Sequence, residues 1–262
     1  MTDDEVSPDT GTLVVAHRGA SSELPENTLE AFEGAIRAGA DVIETDVRLT
    51  SDGQAVVLHD ADVSRVTDGA GFVGELTLAE VKRLDASGGR GARAEVPTLR
   101  EVLELVSGRA GINLEIKNLP GEPGFDSPIE AAVQTALREL ERTSFEGSVL
   151  VSSFNWLTIE RSRQLAPDIP TGFLTIAGIA PAASLVYVLR EGHEYVLPHI
   201  AAILDAGEAF VRSAHEAGVR VGTWTVDEPD VAARLFGWGL DAVATNDPAS
   251  IVRVRDEAAG AG

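Results

Sequence analysis

Short apolar runs alternate with longer amphipathic ones along most of this chain. Runs of four to eight apolar residues are typical of buried strands, whereas apolar residues recurring every three or four positions indicate helices. Strands are predicted at residues 13–16, 42–47, 55–58, 112–116, 149–152, 172–175, 195–197, 219–226 and 241–244. Helices are predicted between most of them, for example at residues 28–38, 99–106, 129–141, 208–217 and 229–236. Repeated strand–helix units with buried strands predict a parallel sheet.

The number of these units favours a closed α/β fold, a TIM-type (β/α)8 barrel. A chain of 262 residues with eight or nine strands has the usual size of this barrel. Because the composition shows no break, we expect a single domain over residues 1–262 with a core of about residues 12–250. A doubly wound open sheet is the alternative. It usually has a glycine-rich loop after its first strand, where this chain has His17-Arg18-Gly19.

One connection is too short to contain a helix. Residues 51–54 between the second and third predicted strands read Ser-Asp-Gly-Gln, which is typical of a hairpin turn. A turn centred on Asp52-Gly53 places Asp46 opposite His59, to within about one residue of register. One of the nine predicted strands, residues 55–58, is therefore predicted to be an extra hairpin arm outside an eight-stranded barrel. Residues 86–94 and 119–127 are rich in glycine or proline and are predicted loops, the first as part of a lid or small insertion.

Charge and composition exclude several classes of function. The net charge of −21 disfavours nucleic acid and anionic lipid as partners, and requires local positive charge at any phosphate site. The absence of cysteine excludes disulfides, thiolate metal sites and a catalytic cysteine. Residues 1–10 lack the pattern of a signal peptide, and the apolar stretch 172–189 is interrupted by Gly178 and Pro181. We therefore expect a cytoplasmic protein without stable membrane association.

Carboxylates with strand spacing predict a metal site. Glu44 and Asp46 are two residues apart, so their side chains share one face of a strand that is apolar on both sides. Two buried carboxylates repel each other unless a cation lies between them, and oxygen ligands suit Mg²⁺ or Ca²⁺. The alternative is an outward face with solvated acids.

Glu115 and Lys117 repeat this spacing on a later strand. Together with Asn113 they form a polar face, and charged residues near the C-terminal end of a barrel strand are typical of active sites. Glu115 is accordingly a candidate third metal ligand and Lys117 a candidate phosphate contact. The alternative is a structural Glu–Lys pair at the rim of the barrel.

Histidines end two of the predicted strands on the same side as the carboxylates. His17 is followed by Arg18, whose planar guanidinium suits phosphate, and His59 follows the hairpin arm. Trp224 lies in the predicted strand 219–226 and either packs in the core or forms an apolar wall of the site. The other histidines are weaker candidates: His193, His199, which could reach the mouth of the site, and His215, which we expect on the surface.

Taken in order, these motifs resemble the glycerophosphodiester phosphodiesterase family over nearly the whole chain. Each motif alone is short, and the resemblance is specific because all five motifs occur in the same order. They are His17-Arg18-Gly19 with Pro25-Glu26-Asn27-Thr28, Glu44-Thr45-Asp46-Val47 followed by His59-Asp60, Asn113-Leu114-Glu115-Ile116-Lys117, Trp224-Thr225-Val226, and Thr245-Asn246-Asp247-Pro248.

The resemblance implies hydrolysis of glycerophosphodiesters to glycerol 3-phosphate and an alcohol. It implies one divalent cation, Mg²⁺ or Ca²⁺, on the three carboxylates, His17 and His59 as general acid and base, and phosphate binding by Arg18 and Lys117. This chain has Asp227 where the family usually has asparagine. Two alternatives remain at this stage: phospholipase D-type activity on lysophospholipids, and a catalytically inactive binding protein. The sequence does not predict the oligomeric state.

Overall fold

The computed structural model describes residues 11–260, and this part of the chain contains nine strands and ten α-helices. The strands are β1 (Leu13–His17), β2 (Val42–Leu49), β3 (Ala55–Val57), β4 (Gly111–Ile116), β5 (Val149–Ser153), β6 (Thr171–Thr175), β7 (Tyr195–Pro198), β8 (Arg220–Thr223) and β9 (Ala242–Thr245). The helices are α1 (Leu29–Arg37), α2 (Leu78–Val81), α3 (Leu99–Val106), α4 (Ala131–Thr143), α5 (Trp156–Leu165), α6 (Pro181–Glu191), α7 (Ile200–Ala206), α8 (Glu208–Glu216), α9 (Pro229–Gly237) and α10 (Pro248–Gly260).

Eight parallel strands close into a barrel, which confirms the predicted fold and rules out the open sheet. The order around the sheet is β1-β9-β8-β7-β6-β5-β4-β2, and β1 also pairs with β2. The helices lie between successive strands. Closure brings the first and last strands of the chain side by side, with Ala16 opposite Thr245. This neighbourhood joins residues more than 200 positions apart.

The extra strand β3 is the predicted hairpin arm, with a register shifted by one residue. β3 runs antiparallel to β2, with Val47 opposite Val57. The same register puts Leu58 beside Asp46, where the Leu58 backbone N–H donates to the Asp46 carbonyl at 3.0 Å. The prediction placed His59 opposite Asp46 to within about one residue, and the structure agrees within that margin, with Leu58 rather than His59 beside Asp46. The five-residue loop closes between Thr50 and Gln54, so its centre is Asp52 alone.

Residues 58–97 form the small insertion between β3 and α3. They contain two 3₁₀ helices, Val63–Arg65 and Val73–Glu75, together with α2. The predicted loop at residues 86–94 lies here and is closed by a hydrogen bond from the Ala86 N–H to the Ala94 carbonyl. The insertion has its own apolar cluster, which includes Val63 and Val81. It is therefore packed as a unit over the arm.

The other predicted elements need small corrections. The predicted strand 219–226 ends at Thr223, and the predicted helix 129–141 begins at Ala131, because Glu130 has a left-handed backbone with φ of 54°. Residues 119–127 contain no helix or strand, as predicted, and residues 172–189 comprise β6, a loop and most of α6. Among the described helices, none has the length and apolar character needed to cross a membrane. The expectation for residues 1–10 lies outside the described range.

Two apolar clusters hold the helices against the barrel. One joins α1, α3 and α4 to β2 and β4, with Phe32 and Leu103 fully buried. The other joins α6 to α10 with β7, β8 and β9, with Leu235 and Ile251 fully buried. Each such side chain stabilises the fold by about 1.5–3 kcal/mol through burial. The division matters because most ionisable residues of the site lie on the side of the first cluster.

Candidate active site

The register of β1, β2 and β4 gathers the predicted carboxylates and His17 at one point. His17 is opposite Glu44, and Asp46 is opposite Glu115. The three carboxylates are buried, and one oxygen from each lies within 4.8 Å of the others. Side chains two apart on a strand share a face, so Glu44 and Asp46 both point inward. The outward, solvated alternative is therefore wrong.

Two cations lie against the carboxylates. Lys117 Nζ is 3.0 Å from Asp46 Oδ1 and also contacts Glu115, while Arg18 Nε is 3.2 Å from Asp46 Oδ2. The Arg18 backbone N–H donates to Glu44 Oε2 at 2.8 Å. The Glu–Lys pair considered as a structural alternative is thus present, but it lies within the site because Lys117 bridges two of the three carboxylates.

A tight turn after β1 directs Arg18 toward the site. Arg18 has φ of 58° and Gly19 has φ of 82°, both in the left-handed region. Arginine is unfavourable in this region and glycine is not. A Cβ on Gly19 would lie 2.6 Å from the carbonyl carbon of Ala31, so a larger residue would displace α1. The backbone conformation and the close approach of Ala31 therefore both require glycine at position 19.

Burial and charge shift the pKa values of the carboxyl groups in different directions. Burial raises the pKa of Glu44 well above its usual value, and the neighbouring Asp46 and Glu115 raise it further. Burial also raises the pKa of Glu115, although Lys117 opposes this shift. For Asp46, burial acts upward but is outweighed by Lys117 and Arg18, so its pKa lies below the usual range. The charge on Glu44 is therefore the least compensated by the protein itself.

This arrangement fits a bound cation. Glu44 Oε1 is buried without a hydrogen-bond partner, and Asp46 Oδ1 accepts no hydrogen bond although the Lys117 ammonium is close. A buried carboxylate oxygen without a partner is costly, and a hard cation supplies the missing interaction. Three carboxylates face two protein cations, so one negative charge remains for a metal ion to neutralise.

The two histidines are held through the same ring atom by different partners. His17 Nδ1 is 2.8 Å from Asn246 Oδ1, and His59 Nδ1 is 2.5 Å from Asp60 Oδ1. Burial lowers the pKa of both rings, and Arg18 contributes further to the shift at His17. In each ring Nδ1 is engaged, which leaves Nε2 available to a ligand.

A cavity of about 330 Å³ connects these groups. His17, His59 and Lys117 line its polar part, and Phe154 and Trp224 form an apolar wall. The Trp224 indole N–H donates to the Leu197 carbonyl at 3.1 Å, and its ring meets Phe154 edge to face at 5.3 Å between centroids. Trp224 therefore combines both roles considered from the sequence: it is packed, and it faces the cavity.

The remaining histidines have structural surroundings. His199 Nδ1 accepts a hydrogen bond from the Ala201 N–H at the start of α7, and its ring packs edge-on against Trp224. His193 is buried, with Nδ1 at 2.7 Å from Thr171 Oγ1. His215 is partly exposed and pairs with Asp241 at 2.8 Å. The expected surface position of His215 is thus correct, and His199 reaches the site only through Trp224.

The sequence reasoning assigned no role to several residues that hold the site together. Asn27 Nδ2 donates to Asp46 Oδ2 at 2.8 Å, and Glu26 accepts hydrogen bonds from Arg18 and from Arg65. Arg65 also pairs with Asp60, which connects the insertion to the loop after β1. The sequence carried one indication of their importance: the quoted motifs contain Glu26, Asn27, Asp60 and Asn246.

The fold and the site together define a class of protein. A (β/α)8 barrel with buried carboxylates, two histidines and two cations at the C-terminal ends of its strands has the composition of an enzyme pocket for an anionic substrate. Residues 17–250 match the model of the glycerophosphoryl diester phosphodiesterase family. The chain belongs to this family, which confirms the resemblance and the class of enzyme predicted from it.

Similar proteins cover almost the same length. A glycerophosphodiester phosphodiesterase from Caldanaerobacter subterraneus subsp. tengcongensis is 34% identical over 93% of this chain and 97% of its own length. A phosphodiesterase from Oleispira antarctica, solved in complex with the product sn-glycerol-3-phosphate, is 31% identical with a TM-score of 0.84, covering 94% of this chain and 97% of its own. A related protein from Silicibacter pomeroyi has the same TM-score at 30% identity, covering 96% and 95%.

Proposed function

We propose that this protein hydrolyses glycerophosphodiesters to glycerol 3-phosphate and an alcohol. The observation that carries the proposal is the Oleispira antarctica relative, whose structure contains the product sn-glycerol-3-phosphate on a barrel with a TM-score of 0.84 to this one. The pocket of this chain has the positive charges that such a product needs, because Arg18 and Lys117 lie beside its buried carboxylates. We also propose that residues 1–262 form one domain.

Glu44, Asp46 and Glu115 would hold one divalent cation, Mg²⁺ or Ca²⁺. When bound, such an ion neutralises charge on the phosphodiester and on the leaving oxygen. The support for this ligand set is the buried Glu44 Oε1 without a partner and the uncompensated negative charge of the triad. The three oxygens do not discriminate between the two metals, because both prefer carboxylate ligands.

Arg18 and Lys117 would bind the phosphate, and Trp224 would contact the organic part of the substrate. The guanidinium of Arg18 presents a planar fork that matches two phosphate oxygens, whereas the Lys117 ammonium acts as a point charge. Glu26 accepts from Arg18 Nη1 at 3.0 Å and so fixes the plane of the fork. Phe154 and Trp224 form an apolar part of the cavity lining, and the Lys117 ammonium lies 5.6 Å from the centre of the Phe154 ring.

His17 and His59 would transfer the protons. Their Nδ1 atoms are engaged by Asn246 and Asp60, so each presents Nε2 to the substrate. One ring removes a proton from the attacking nucleophile, and the other protonates the departing alcohol oxygen. A positioned proton-transfer group typically accelerates a reaction by about 10²–10⁴-fold.

Exposed apolar residues near the mouth favour a second candidate, phospholipase D-type hydrolysis of lysophospholipids. Ile176 is 58% exposed and borders the groove that leads to His59, and Trp156, two residues after Phe154, is 56% exposed. A lysophospholipid presents the same phosphodiester with an acyl chain, which these side chains could cover.

A coupled assay tests both candidates. Glycerol 3-phosphate released from glycerophosphocholine is oxidised by a dehydrogenase and detected as NADH, and choline released from lysophosphatidylcholine is measured separately. We expect turnover of glycerophosphocholine that EDTA abolishes and that Mg²⁺ or Ca²⁺ restores. Turnover of lysophosphatidylcholine alone would replace the first proposal with the second. No turnover of either substrate with added metal would indicate an inactive binding protein.

A further inference from the structure

A chain of hydrogen bonds runs from His17 through Asn246 to Asp227, a residue that does not line the cavity. Asn246, which contacts His17, donates from Nδ2 to Asp227 Oδ2 at 2.8 Å and from its backbone N–H to Asp227 Oδ1 at 2.7 Å. Thr245 Oγ1 donates to the same Oδ1 at 3.0 Å. Asp227 thus accepts three hydrogen bonds from two residues at the end of β9, although Asp227 is exposed to solvent.

The pairing of β1 with β9 brings His17, Asn246 and Asp227 together. Ala16 is opposite Thr245 in the β1–β9 pair, so His17 and Asn246 follow at neighbouring positions. The Val226 N–H donates to the Ala244 carbonyl at 2.9 Å, which ties the segment before Asp227 to the same strand end. The three residues therefore come from β1, from the segment after β8, and from the end of β9.

The chemistry of these groups fixes the direction of each hydrogen bond. An ionised carboxylate only accepts, so the side of Asn246 that faces Asp227 must be its NH₂ group. The amide oxygen then faces His17. Ser21 Oγ lies 3.0 Å from this oxygen and 2.8 Å from the His17 carbonyl, and its one proton serves these two acceptors. An amide oxygen only accepts as well, so His17 Nδ1 must carry a proton. In a neutral ring the lone pair is then on Nε2, the atom that faces the cavity.

We propose that Asp227 is a positioning residue that selects, through the amide of Asn246, the tautomer of His17 in which Nε2 is free for proton transfer. Asp227 does not touch the substrate. An asparagine at this position has one accepting oxygen, which cannot serve both the Asn246 backbone N–H and the Asn246 NH₂ group, so the constraint on the amide would be lost. The proposal rests on the proposed function only for its effect on turnover, because the tautomer is a property of the folded chain.

The test uses a cycle of four proteins: wild type, D227N, N246D and the double variant D227N/N246D. In the double variant, the amide introduced at position 227 donates to the carboxylate introduced at position 246, and that carboxylate accepts from His17 Nδ1. In N246D alone, two carboxylates face each other and repel. E228Q is the matched control, since it removes the same charge one residue away and Glu228 makes no side-chain capping bond to α9.

The tautomer is read from long-range ¹H–¹⁵N spectra of protein labelled at histidine, with the His17 signals assigned by comparison with His17→Gln. We expect wild type and E228Q to carry the proton on Nδ1, D227N to show a mixture, and the double variant to return to Nδ1. A proton on Nε2 in the wild type would overturn the proposal, and so would an unchanged tautomer in D227N. Circular dichroism confirms that each variant is folded.

Turnover gives the second measurement. For glycerophosphocholine we expect kcat of D227N to fall about tenfold, a fraction of the about 10²–10⁴-fold that a proton-transfer group supplies. KM should change less than twofold, and the double variant should recover most of kcat. An equal loss in E228Q would show a general charge effect and contradict the proposal. If wild type has no turnover, the proposed function fails while the tautomer measurement still decides this inference.

Discussion

The two halves of the barrel contribute different kinds of residue to the same cavity. The half from β1 to β4 carries the ionisable groups: His17, Arg18, Glu44, Asp46, His59, Glu115 and Lys117. The half from β6 to β9 contributes mostly small or apolar side chains: Leu174, Leu197, Gly222, Trp224, Ala242 and Ala244. The exceptions are Thr223, Tyr195 and Arg220, and Arg220 donates to the Tyr195 hydroxyl at 2.9 Å.

This difference indicates that one half of the barrel supplies most of the charged groups of the cavity and the other half mainly shapes its wall. The first half concentrates charged groups that shift one another's pKa values. The second half closes the barrel and forms the wall. The contact between Asn246 and His17 crosses the division, since it brings a residue from the apolar half to a histidine of the charged half.

The largest effect should follow from removing either histidine. We expect His17→Ala and His59→Ala each to lower kcat by about 10²–10⁴-fold, because each removes one proton transfer. His199→Ala is the matched control from the other half, since that ring contacts the site only through Trp224. Steady-state kinetics on glycerophosphocholine would measure the change. More than a tenth of wild-type activity in either variant would exclude that residue as the acid or base.

A substitution in the apolar cluster behind the second half should lower stability without changing turnover. Leu235 is fully buried on α9, and Leu235→Ala should lower the free energy of unfolding by about 2–5 kcal/mol through the cavity it leaves. Urea denaturation measures this loss, and Val186→Ala, at a residue 66% exposed, is the control. Well below the unfolding midpoint, kcat should stay within about twofold of wild type. A larger loss of kcat would mean that the apolar cluster around Leu235 also positions residues of the site.

Removing a carboxylate should weaken metal binding. We expect Glu44→Ala to raise the Kd for Mg²⁺ or Ca²⁺ more than about tenfold, because even partners outside the ligand shell contribute about 10–100-fold. Isothermal titration calorimetry gives the Kd directly, and Glu208→Ala on the surface of the other half is the control. An unchanged affinity would remove Glu44 from the ligand set.

The smallest expected effect is a pH dependence of stability from His193. Burial lowers the pKa of His193 from its usual 6.5, so the unfolded chain binds a proton at a higher pH than the folded chain does. The contribution of His193 is complete above pH 6.5 and is lost as the pH falls from there toward the folded-state pKa. His193→Gln should therefore lose less stability than wild type between neutral and mildly acidic pH, by urea denaturation. An identical slope would contradict this origin.

Much of the fold follows from local patterns. All nine predicted strands are present, because buried parallel strands leave short apolar runs that repeat between helices. The hairpin register differs from the predicted centre by one residue, within the predicted margin. Ser51-Asp52-Gly53-Gln54 suggested a two-residue turn, whereas the hydrogen bond between Thr50 and Gln54 makes a longer loop. Register depends on this backbone detail.

The site was predictable where spacing along one strand decides it. Glu44 and Asp46 share a face by alternation, as do Glu115 and Lys117, and both pairs are inside the barrel. The partners of these residues were not predictable in this way. Asn246 meets His17 only because the barrel closes, and Arg65 reaches Glu26 from the insertion. Contacts of this kind depend on the whole topology.

The two separate apolar clusters have a consequence for a chain that is cut. A break between residues 167 and 168, in the connection between α5 and β6, would leave each fragment with most of one cluster. Val14 of β1 packs in the second cluster, so the barrel closes only when the fragments meet. The first fragment holds the carboxylates and both catalytic candidates, and the second holds Trp224 and Asn246. Complementation of the two pieces would then restore activity, and turnover would report reassembly of the barrel.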